Sequence, residues 1–211
     1  MRIACLGLGR MGWHMAGHLA NLGEDYNIVV FDVVEELGDQ WAAEFPGTTV
    51  DSVASAVADA QFIITSLPSD KELATVVKEA LVAVGQEAIW IDHSTTSAKI
   101  ALETGIEVSA VGGHFLDGPV SGGVDGARRG TLSVMVGGDQ NAFVQAEPLI
   151  GTYASRVRHM GPSGAGQLTK MTNQICVVGL CQALAEGLDF ASRAGLDVEK
   201  VVEAMLQGSS T

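Results

Sequence analysis

The chain is predicted to fold as an α/β protein, a doubly wound sheet followed by the start of an all-helical domain. Short apolar runs recur along residues 1–163 and alternate with helical patterns, which is typical of a parallel sheet with helices on both faces. A glycine-rich turn joins the first apolar run to the first helix. Residues 164–211 show helical periodicity only. We therefore expect a domain boundary between residues 163 and 164.

Composition limits the classes of protein that this sequence can represent. The 211 residues are 47% hydrophobic and 18% charged, which is enough apolar material to bury a core. A net charge of −13 argues against nucleic acid or an anionic membrane surface as partner, because phosphates would be repelled. Cys5, Cys176 and Cys181 form no disulfide framework, which favours a reducing compartment. We expect a soluble, cytoplasmic protein without a targeting segment or membrane span.

A glycine pattern connects the first predicted strand, Arg2–Leu6, to the first predicted helix, Met11–Leu22. Its three glycines allow a tight turn, a close backbone approach to a pyrophosphate and close packing of helix on strand. The helix N-terminus adds free N–H groups and a positive dipole end for phosphates. The residues predicted to contact a dinucleotide here are Gly7, Leu8, Gly9, Arg10, Met11 and Gly12.

A second strand and an acidic residue complete the dinucleotide-binding pattern. Ile28–Phe31 is the second predicted strand, and Asp32 follows it where a carboxylate would bind the adenosine ribose hydroxyls. Strand, turn, helix, strand and acid in this order predict a Rossmann-type domain. The Asp32 carboxylate would repel the extra phosphate of NADP, and residues 33–36 contain no arginine to bind it. NAD is the expected cofactor and NADP the less favoured one; a surface aspartate that merely ends a strand is the alternative.

The alternation of strands and helices continues to residue 160. Two of its strands end at the turns Leu67-Pro68 and Ser94-Thr95, and ligands of doubly wound sheets lie at the carboxyl ends of strands. Both turns are therefore expected at the cofactor edge. Further strands are predicted at 62–65, 88–92, 114–116, 132–136 and 156–160, and further helices at 35–45, 52–58, 69–84 and 141–150.

A third glycine-rich segment, Asp117–Gly123, follows the strand at 114–116. Its successive backbone N–H groups can form an anion-binding concavity, and the Ser121 hydroxyl can add a hydrogen bond to a carboxylate. An ordinary strand-to-helix loop is the alternative.

The segment from Gly161 to Gln174 runs from a glycine-rich turn into a long helix. Gln167, Lys170, Asn173 and Gln174 share one face of that helix. A lysine on such a stripe, between a nucleotide domain and a helical domain, can serve as a proton-transfer group. A solvated helix face is the alternative.

His14 and His18 lie four residues apart on a predicted helix, a spacing that can chelate a metal. No third ligand lies near them in the sequence, and the glycine turn accounts for the helix without a metal. We predict no metal site.

Three segments in order, Gly7–Leu19, Asp117–Gly123 and Gly164–Asn173, resemble the β-hydroxyacid dehydrogenase family. That family includes 3-hydroxyisobutyrate dehydrogenases, tartronate semialdehyde reductases and glyoxylate/succinic semialdehyde reductases, and the resemblance covers the whole chain. It implies an NAD(P)-dependent dehydrogenase (EC 1.1.1 type) for a small carboxylate-bearing hydroxy acid or semialdehyde. It also implies a catalytic Lys170 with Asn173 beside it, substrate contacts from Ser121, Gly122 and Gly123, and cofactor contacts from Leu67, Pro68 and Thr95.

The sequence departs from the family pattern at three places. Gly118 stands where many members carry alanine, and Gln174 replaces a second asparagine. Family members also continue beyond the position of Thr211 through a longer helical domain, which normally closes the substrate pocket.

The resemblance leaves several functions open. The first is oxidation of a β-hydroxy acid such as 3-hydroxyisobutyrate, with Lys170 as general base, or as acid in the reverse direction. The alternatives are reduction of tartronate semialdehyde, succinic semialdehyde or glyoxylate, and a catalytically silent dinucleotide-binding scaffold. Lys170 disfavours imine reduction, whose enzymes normally lack this lysine, and the Asp117–Val120 segment disfavours 6-phosphogluconate dehydrogenase.

The predicted helix Ile175–Ala191 is apolar on nearly every side, and such a helix must be covered all round. The predicted helix Asp197–Gln207 is too short to cover it. Helices beyond Thr211 or a second subunit are expected to bury it, so the protein is predicted to be a homo-oligomer.

Overall fold

A computed structural model describes residues 1–206 of the chain. Its strands are β1 (Arg2–Leu6), β2 (Asn27–Phe31), β3 (Thr48–Thr49), β4 (Phe62–Thr65), β5 (Ile89–Asp92), β6 (His114–Asp117), β7 (Val120–Ser121), β8 (Leu132–Gly138) and β9 (Ala154–Gly161). Its helices are α1 (Gly12–Ala20), α2 (Glu35–Glu44), α3 (Val53–Val57), α4 (Asp70–Ala80), α5 (Ala98–Ala110), α6 (Gly123–Arg129), α7 (Gln140–Ile150), α8 (Ala165–Arg193) and α9 (Val198–Leu206).

The strands form one sheet in the order β3-β2-β1-β4-β5-β6-β8-β7, with β9 paired to β8. The strands from β3 to β6 in this order are parallel, whereas β8 runs antiparallel to β6 and β7. The strand order reverses beside β1, so the carboxyl ends of β1 and β4 flank the crevice in which such sheets bind ligands. The predicted Rossmann-type sheet followed by a helical segment is confirmed.

Helices cover both faces of the sheet, which is why its strands are almost continuously apolar. One core contains Met15, Leu19 and Trp41 against one face of the sheet. The other contains Leu73 and Trp90 against the opposite face. Because both faces of the sheet are buried, a ligand can reach polar groups of the sheet only at an edge, and here that is the carboxyl edge.

The structure adds elements that the hydrophobic pattern did not indicate. Helix α5 begins after Ser97, whose Oγ accepts a hydrogen bond from the Ile100 N–H at 3.2 Å, and this capping signal was present in the sequence. Helix α6 is short and starts within the Asp117–Gly123 segment. The two-residue strand β3 is defined by its pairing with β2, and β7 by its pairing with β8, so no local sequence pattern predicts them.

The predicted helix Ile175–Ala191 lies in the C-terminal part of the longer helix α8. Helix α9 occupies the region predicted as Asp197–Gln207, of which Gln207 lies outside the described residues. By compactness the chain divides into a unit at Met1–Lys170 and a second unit that begins at Met171. The sequence placed the boundary before Gly164, just ahead of α8.

The second unit exposes much of the apolar surface of α8. Ile175, Leu180 and Phe190 are 74%, 71% and 72% exposed. By length and composition alone α8 could cross a membrane, a criterion that core helices of soluble proteins also meet. The sequence-based expectation that this helix needs a cover therefore applies to the described structure.

Candidate active site

Three neighbouring strands end in polar residues that lie side by side. Thr65 pairs with Asp92 across β4 and β5, and Asp92 pairs with Asp117 across β5 and β6. All three side chains are fully buried. This row of buried polar side chains lies at the carboxyl edge of the sheet, where it can bind the loops that follow the strands.

The Asp117 carboxylate caps the N-terminus of α8. Its oxygens accept hydrogen bonds from the backbone N–H of Gly164 at 2.7 Å and of Gln167 at 2.9 Å. Burial raises the pKa of Asp117, and these backbone hydrogen bonds oppose that rise by stabilising the charged form. The helix approaches so closely that a Cβ on Gly166 would lie 2.4 Å from the Asp117 carbonyl oxygen. The interaction fixes the first turn of α8 against β6.

The Asp92 carboxylate organises the neighbouring loops. Its Oδ1 accepts hydrogen bonds from the hydroxyls of Thr65 at 2.7 Å and Ser94 at 2.6 Å. Burial raises the pKa of Asp92 to about 6. The Ser94 Oγ in turn accepts the Leu67 N–H at 2.8 Å. Asp92 thereby joins the two turns that the sequence predicted at the cofactor edge.

Two adjoining cavities lie along this edge. A cavity of about 680 Å³ contains Gly7, Gly9, Arg10, Met11, Asp32, Leu67 and Pro68 in its wall. A second, of about 390 Å³, has a wall that includes Thr95, Ser121, Gly122, Gly123 and Lys170. The two share Met11, Ser66, Leu67 and Pro68. The structure thus brings together the predicted cofactor, substrate and lysine residues along one cleft.

The glycine turn has the geometry that a pyrophosphate needs. Gly7 has φ +94°, and a Cβ there would lie 2.5 Å from the Ser66 carbonyl oxygen. A Cβ on Gly12 would lie 1.9 Å from the Gly7 carbonyl oxygen, so the start of α1 packs directly on the turn that follows β1. Gly9 instead faces open space, with nothing within 4 Å of an added Cβ. The turn therefore leaves a bare backbone surface at Gly9, which fits a dinucleotide diphosphate.

Leu8 and Gly12, two of the predicted cofactor residues, are buried beneath the glycine turn and do not line the cavity. Leu8 is buried, and its backbone N–H donates to Asp32 Oδ2 at 2.6 Å. Asp32 Oδ1 also accepts the Val34 N–H at 2.9 Å. Gly12 is buried beneath the turn. Leu8 and Gly12 thus shape the turn, while Asp32 lies at the cavity wall.

The region around Asp32 is strongly acidic. A further cavity of about 790 Å³ is bounded by Asp32, Glu35, Asp39 and Asp51, among other residues. Four carboxylates around one space disfavour a dianionic phosphate there because like charges repel.

Lys170 lies in the wall of the smaller cavity and is only 9% exposed. Its Nζ donates a hydrogen bond to the Val120 carbonyl oxygen at 2.8 Å. Burial lowers the pKa of the Lys170 ammonium because it disfavours the charged form. This burial contradicts the alternative of a solvated lysine on the helix surface.

The Ser121 loop lies beside Lys170 in the cavity wall, since Val120, whose carbonyl accepts the Lys170 hydrogen bond, directly precedes Ser121. Gly122 and Gly123 follow Ser121 with φ +129° and +63°, backbone conformations that favour glycine, and α6 begins at Gly123. Ser121 is half-buried and both glycines are exposed. The loop presents hydroxyl and backbone groups rather than bulky side chains to the cavity.

His93 is a cavity residue to which the sequence analysis assigned no role. Its Nδ1 lies 2.5 Å from the Gly118 carbonyl oxygen and its Nε2 2.8 Å from the Tyr153 hydroxyl. A carbonyl can only accept, so Nδ1 carries the proton and Tyr153 donates to Nε2. Burial lowers the pKa of His93 to about 4, so the ring is neutral near pH 7. A Cβ on Gly118 would lie 3.3 Å from His93 Nδ1, so glycine at this departure from the family pattern gives the ring room.

Asn173 and Gln174, the remaining residues of the predicted stripe, lie further along α8. Asn173 is half-buried and Gln174 is exposed. Asn173 follows Lys170 by one helical turn and is not part of the cavity wall as described. Its participation in chemistry stays a prediction.

One histidine of the pair on α1 links two helices in the structure. His18 Nε2 bonds to the Ala127 carbonyl oxygen at 2.9 Å and so links α1 to α6. Within residues 1–206, no group of three or more histidine, cysteine, aspartate or glutamate side chains is arranged to hold a metal ion.

Two family models match nearly the whole chain. One, described as the NAD binding domain of 6-phosphogluconate dehydrogenase, matches residues 2–161. The other, described as NAD-binding of NADP-dependent 3-hydroxyisobutyrate dehydrogenase, matches residues 164–211.

Individual proteins are similar along the full chain as well. An uncharacterized oxidoreductase of Shewanella frigidimarina is 42% identical over 99% of this chain and 72% of its own length. The mitochondrial 3-hydroxyisobutyrate dehydrogenase of Rattus norvegicus is 35% identical over 99% of this chain, which spans 62% of that protein. A solved structure of Mycobacterium tuberculosis 3-hydroxyisobutyrate dehydrogenase with L-serine has a TM-score of 0.93 and 33% identity, covering 100% of this chain and 71% of that one.

The contrast between Gly9 and Gly12 gives a test of the dinucleotide surface. Gly9→Ala should fold like the parent and lose at least about tenfold in NAD affinity, about 1.4 kcal/mol, because the methyl group covers the bare backbone. Gly12→Ala should lower the melting temperature, because its Cβ collides with the Gly7 carbonyl oxygen.

Thermal unfolding and calorimetric titration with NAD measure the two effects separately. Gly187→Ala is the matched control, since nothing lies within 4 Å of a Cβ on that helical glycine. Parent-like NAD affinity in Gly9→Ala would contradict the assignment of the surface.

Proposed function

The chain belongs to the β-hydroxyacid dehydrogenase family, and on that premise we propose that it oxidises the hydroxyl of a small β-hydroxy acid with NAD or reduces the matching semialdehyde. A substrate like 3-hydroxyisobutyrate is the first candidate. The observation that carries the proposal is the buried amine of Lys170 in a cavity that adjoins the dinucleotide cleft. A second supporting feature is the glycine loop of Ser121 in the wall of the same cavity, which suits a carboxylate.

In this proposal Lys170 moves the substrate proton. Its lowered pKa enlarges the fraction of neutral amine, and a neutral amine has one lone pair and two N–H groups. The hydrogen bond to the Val120 carbonyl holds one N–H and so restricts the direction of the lone pair. In the oxidation direction Nζ accepts the hydroxyl proton, and in the reduction direction the ammonium returns it.

The remaining predicted residues would bind the substrate and the cofactor and orient them for the reaction. Ser121, Gly122 and Gly123 would hold the substrate carboxylate through hydroxyl and backbone N–H groups. Asn173 would orient the lysine or the substrate hydroxyl from one turn along the helix. Leu67, Pro68 and Thr95 would contact the nicotinamide end of the cofactor, which when bound exchanges a hydride with the substrate.

The acidic surroundings of Asp32 support NAD as the cofactor. NADP differs by a phosphate on the adenosine ribose, and that phosphate would approach Asp32, Glu35, Asp39 and Asp51. Four carboxylates would repel it more strongly than Asp32 alone, which adds to the sequence-based expectation from Asp32 and the absence of arginine at residues 33–36.

Two other functions compete with this one. Reduction of tartronate semialdehyde, succinic semialdehyde or glyoxylate would use the same lysine and loop. A catalytically silent dinucleotide-binding scaffold would not need a buried amine in the cavity, and Lys170 therefore disfavours it. Assays of 3-hydroxyisobutyrate, D-glycerate, 4-hydroxybutyrate and L-serine with NAD and with NADP separate these candidates.

We also propose a cytoplasmic location and a homo-oligomeric state. Within the described residues, Cys5, Cys176 and Cys181 are free thiols, which suits a reducing compartment. The exposed apolar residues of α8 suit burial against a second copy of the chain.

Replacement of Lys170 tests the proposed chemistry. Lys170→Ala should lower turnover by roughly a hundred- to ten-thousandfold while NAD affinity stays near the parent value, because the amine serves the proton and not the diphosphate. In the parent, the oxidation rate should rise with pH as the amine loses its proton, and this rise should vanish in the variant.

Steady-state rates across pH and NAD titrations measure both effects. Lys99→Ala is the control, since the Lys99 side chain is 83% exposed. If Lys170→Ala kept half of the parental turnover, Lys170 would not be the proton-transfer group and its role would be structural.

Charge reversal at Asp32 tests the choice of cofactor. The parent should turn over faster with NAD than with NADP, and Asp32→Arg should shift the ratio toward NADP by supplying a phosphate ligand. Because Asp32 also accepts the Leu8 and Val34 N–H groups, part of the NAD activity should be lost as well.

Activity ratios with the two cofactors provide the measurement. Glu107→Arg makes the same charge change at an exposed site on α5 and should leave the ratio unchanged. Equal or better parental activity with NADP would overturn the argument.

The apolar face of α8 gives a test of assembly. The 211-residue chain should sediment as a dimer or larger species, and Leu180→Glu should shift it toward monomer because a buried charge opposes association. Val82→Glu, at another exposed apolar position, is the matched control. A parent that sediments as a monomer, or that partitions into lipid vesicles instead, would contradict self-association through this helix.

A further inference from the structure

We propose that Gln167 is a positioning residue, whose buried side-chain amide holds Thr95 in the wall of the cavity that contains Lys170. The inference rests on the proposed function, because it assigns Thr95 to the nicotinamide end of the cofactor. Gln167 lies in the first turn of α8 and is fully buried. A solvated helix face cannot account for a fully buried polar side chain.

The two ends of the Gln167 amide bracket Thr95. Its Nε2 donates to the Ser94 carbonyl oxygen at 2.8 Å, and its Oε1 accepts the Thr96 N–H at 3.2 Å. These are the backbone groups immediately before and after Thr95. Because a carbonyl only accepts and an N–H only donates, the partners also fix which way round the amide lies.

The two hydrogen bonds of the Gln167 amide explain an unusual pattern of burial in residues 94–96. Ser94 and Thr96 are 2% and 5% exposed, whereas Thr95 between them is exposed to the cavity. Gln167 satisfies backbone groups that are buried at the loop, where an unpaired carbonyl or N–H costs about 1–3 kcal/mol. The exposed Thr95 side chain therefore projects from a backbone fixed on both sides.

The same residue relates this loop to the lysine. The Gln167 backbone N–H donates to Asp117, and Lys170 follows three residues later on the same helix. One buried glutamine thereby links the backbone around Thr95 to Asp117 and to the helix that carries Lys170. Removal of the side chain breaks only the link to Thr95, because the bond to Asp117 uses the backbone.

The proposal has a specific consequence for ligand binding. Thr95 belongs to the wall of the cavity that contains Lys170, and not to that of the cavity at the glycine turn. Loss of the two Gln167 side-chain hydrogen bonds should therefore disturb the binding of the nicotinamide end of NAD and leave the binding of the adenosine diphosphate end unchanged. ADP-ribose, which lacks nicotinamide, separates the two ends.

Gln167→Met, which keeps the length of the side chain and removes both hydrogen bonds, is the test variant. ADP-ribose affinity should stay within about twofold of the parent. With NAD, turnover should fall by about ten- to a hundredfold, as expected for misplaced reacting groups, while the KM for the hydroxy acid changes little. The Thr96 amide should exchange with deuterium faster than in the parent, a readout that does not require activity.

Gln182→Met is the matched control, because this exposed glutamine on the same helix bonds only to Glu186 at 2.8 Å among the contacts described. If Gln167→Met does not fold, Gln167→Glu, which keeps the acceptor for Thr96 and puts a carboxyl oxygen where the donor to Ser94 was, should give the same split. Equal losses of ADP-ribose and NAD affinity, or unchanged turnover and Thr96 exchange, would overturn the proposal. If the parent itself shows no turnover, the proposed function fails, while ADP-ribose binding, NAD binding and Thr96 exchange still decide the role of Gln167.

Discussion

The hydrogen bonds between the Asp117 carboxylate and the N-terminus of α8 are the interaction on which the rest of the cleft depends. A buried carboxylate would be costly alone, but here it accepts backbone N–H groups at the positive end of a long helix. The absence of side chains at Gly166 and Gly137 permits this approach, since a Cβ on either would lie within 2.5 Å of Asp117 oxygens. The register of α8 thus places Gln167 and Lys170 at the edge of the sheet.

The polar strand ends turn this edge into a continuous scaffold. Asp92 and Asp117 are neighbours whose burial raises the pKa of both, and each is stabilised by its own set of donors. Asp92 reaches the Leu67 turn through Ser94, and Asp117 reaches α8 directly. Gln167 joins these two systems through the Ser94 carbonyl. The Leu67 turn and the first turn of α8 are therefore both held by hydrogen bonds that lead back to the strand ends.

The cleft has unlike electrostatic ends. Carboxylates surround the region of Asp32, whereas the cavity at the other end contains the Lys170 amine and a neutral His93. Burial lowers the pKa of both basic groups, and the His93 ring is neutral near pH 7. In the proposed function, the acidic end would disfavour the extra phosphate of NADP by repulsion, and the other end would exchange a proton and bind a carboxylate through hydroxyl and N–H groups.

The sequence alone determined the parallel strands, the glycine turn with Asp32 and the order of the three motif segments, because apolar periodicity and glycine spacing are local. It also singled out Lys170, but as a residue whose burial was open. Tertiary structure decided the two-residue strands, the burial of Lys170 and the contacts of His93 and Gln167. These depend on partners remote in the chain: Gln167 bonds to groups 50 and 73 residues away, at Asp117 and Ser94. No local pattern encodes such a pairing; it exists only once the sheet brings the strand ends together.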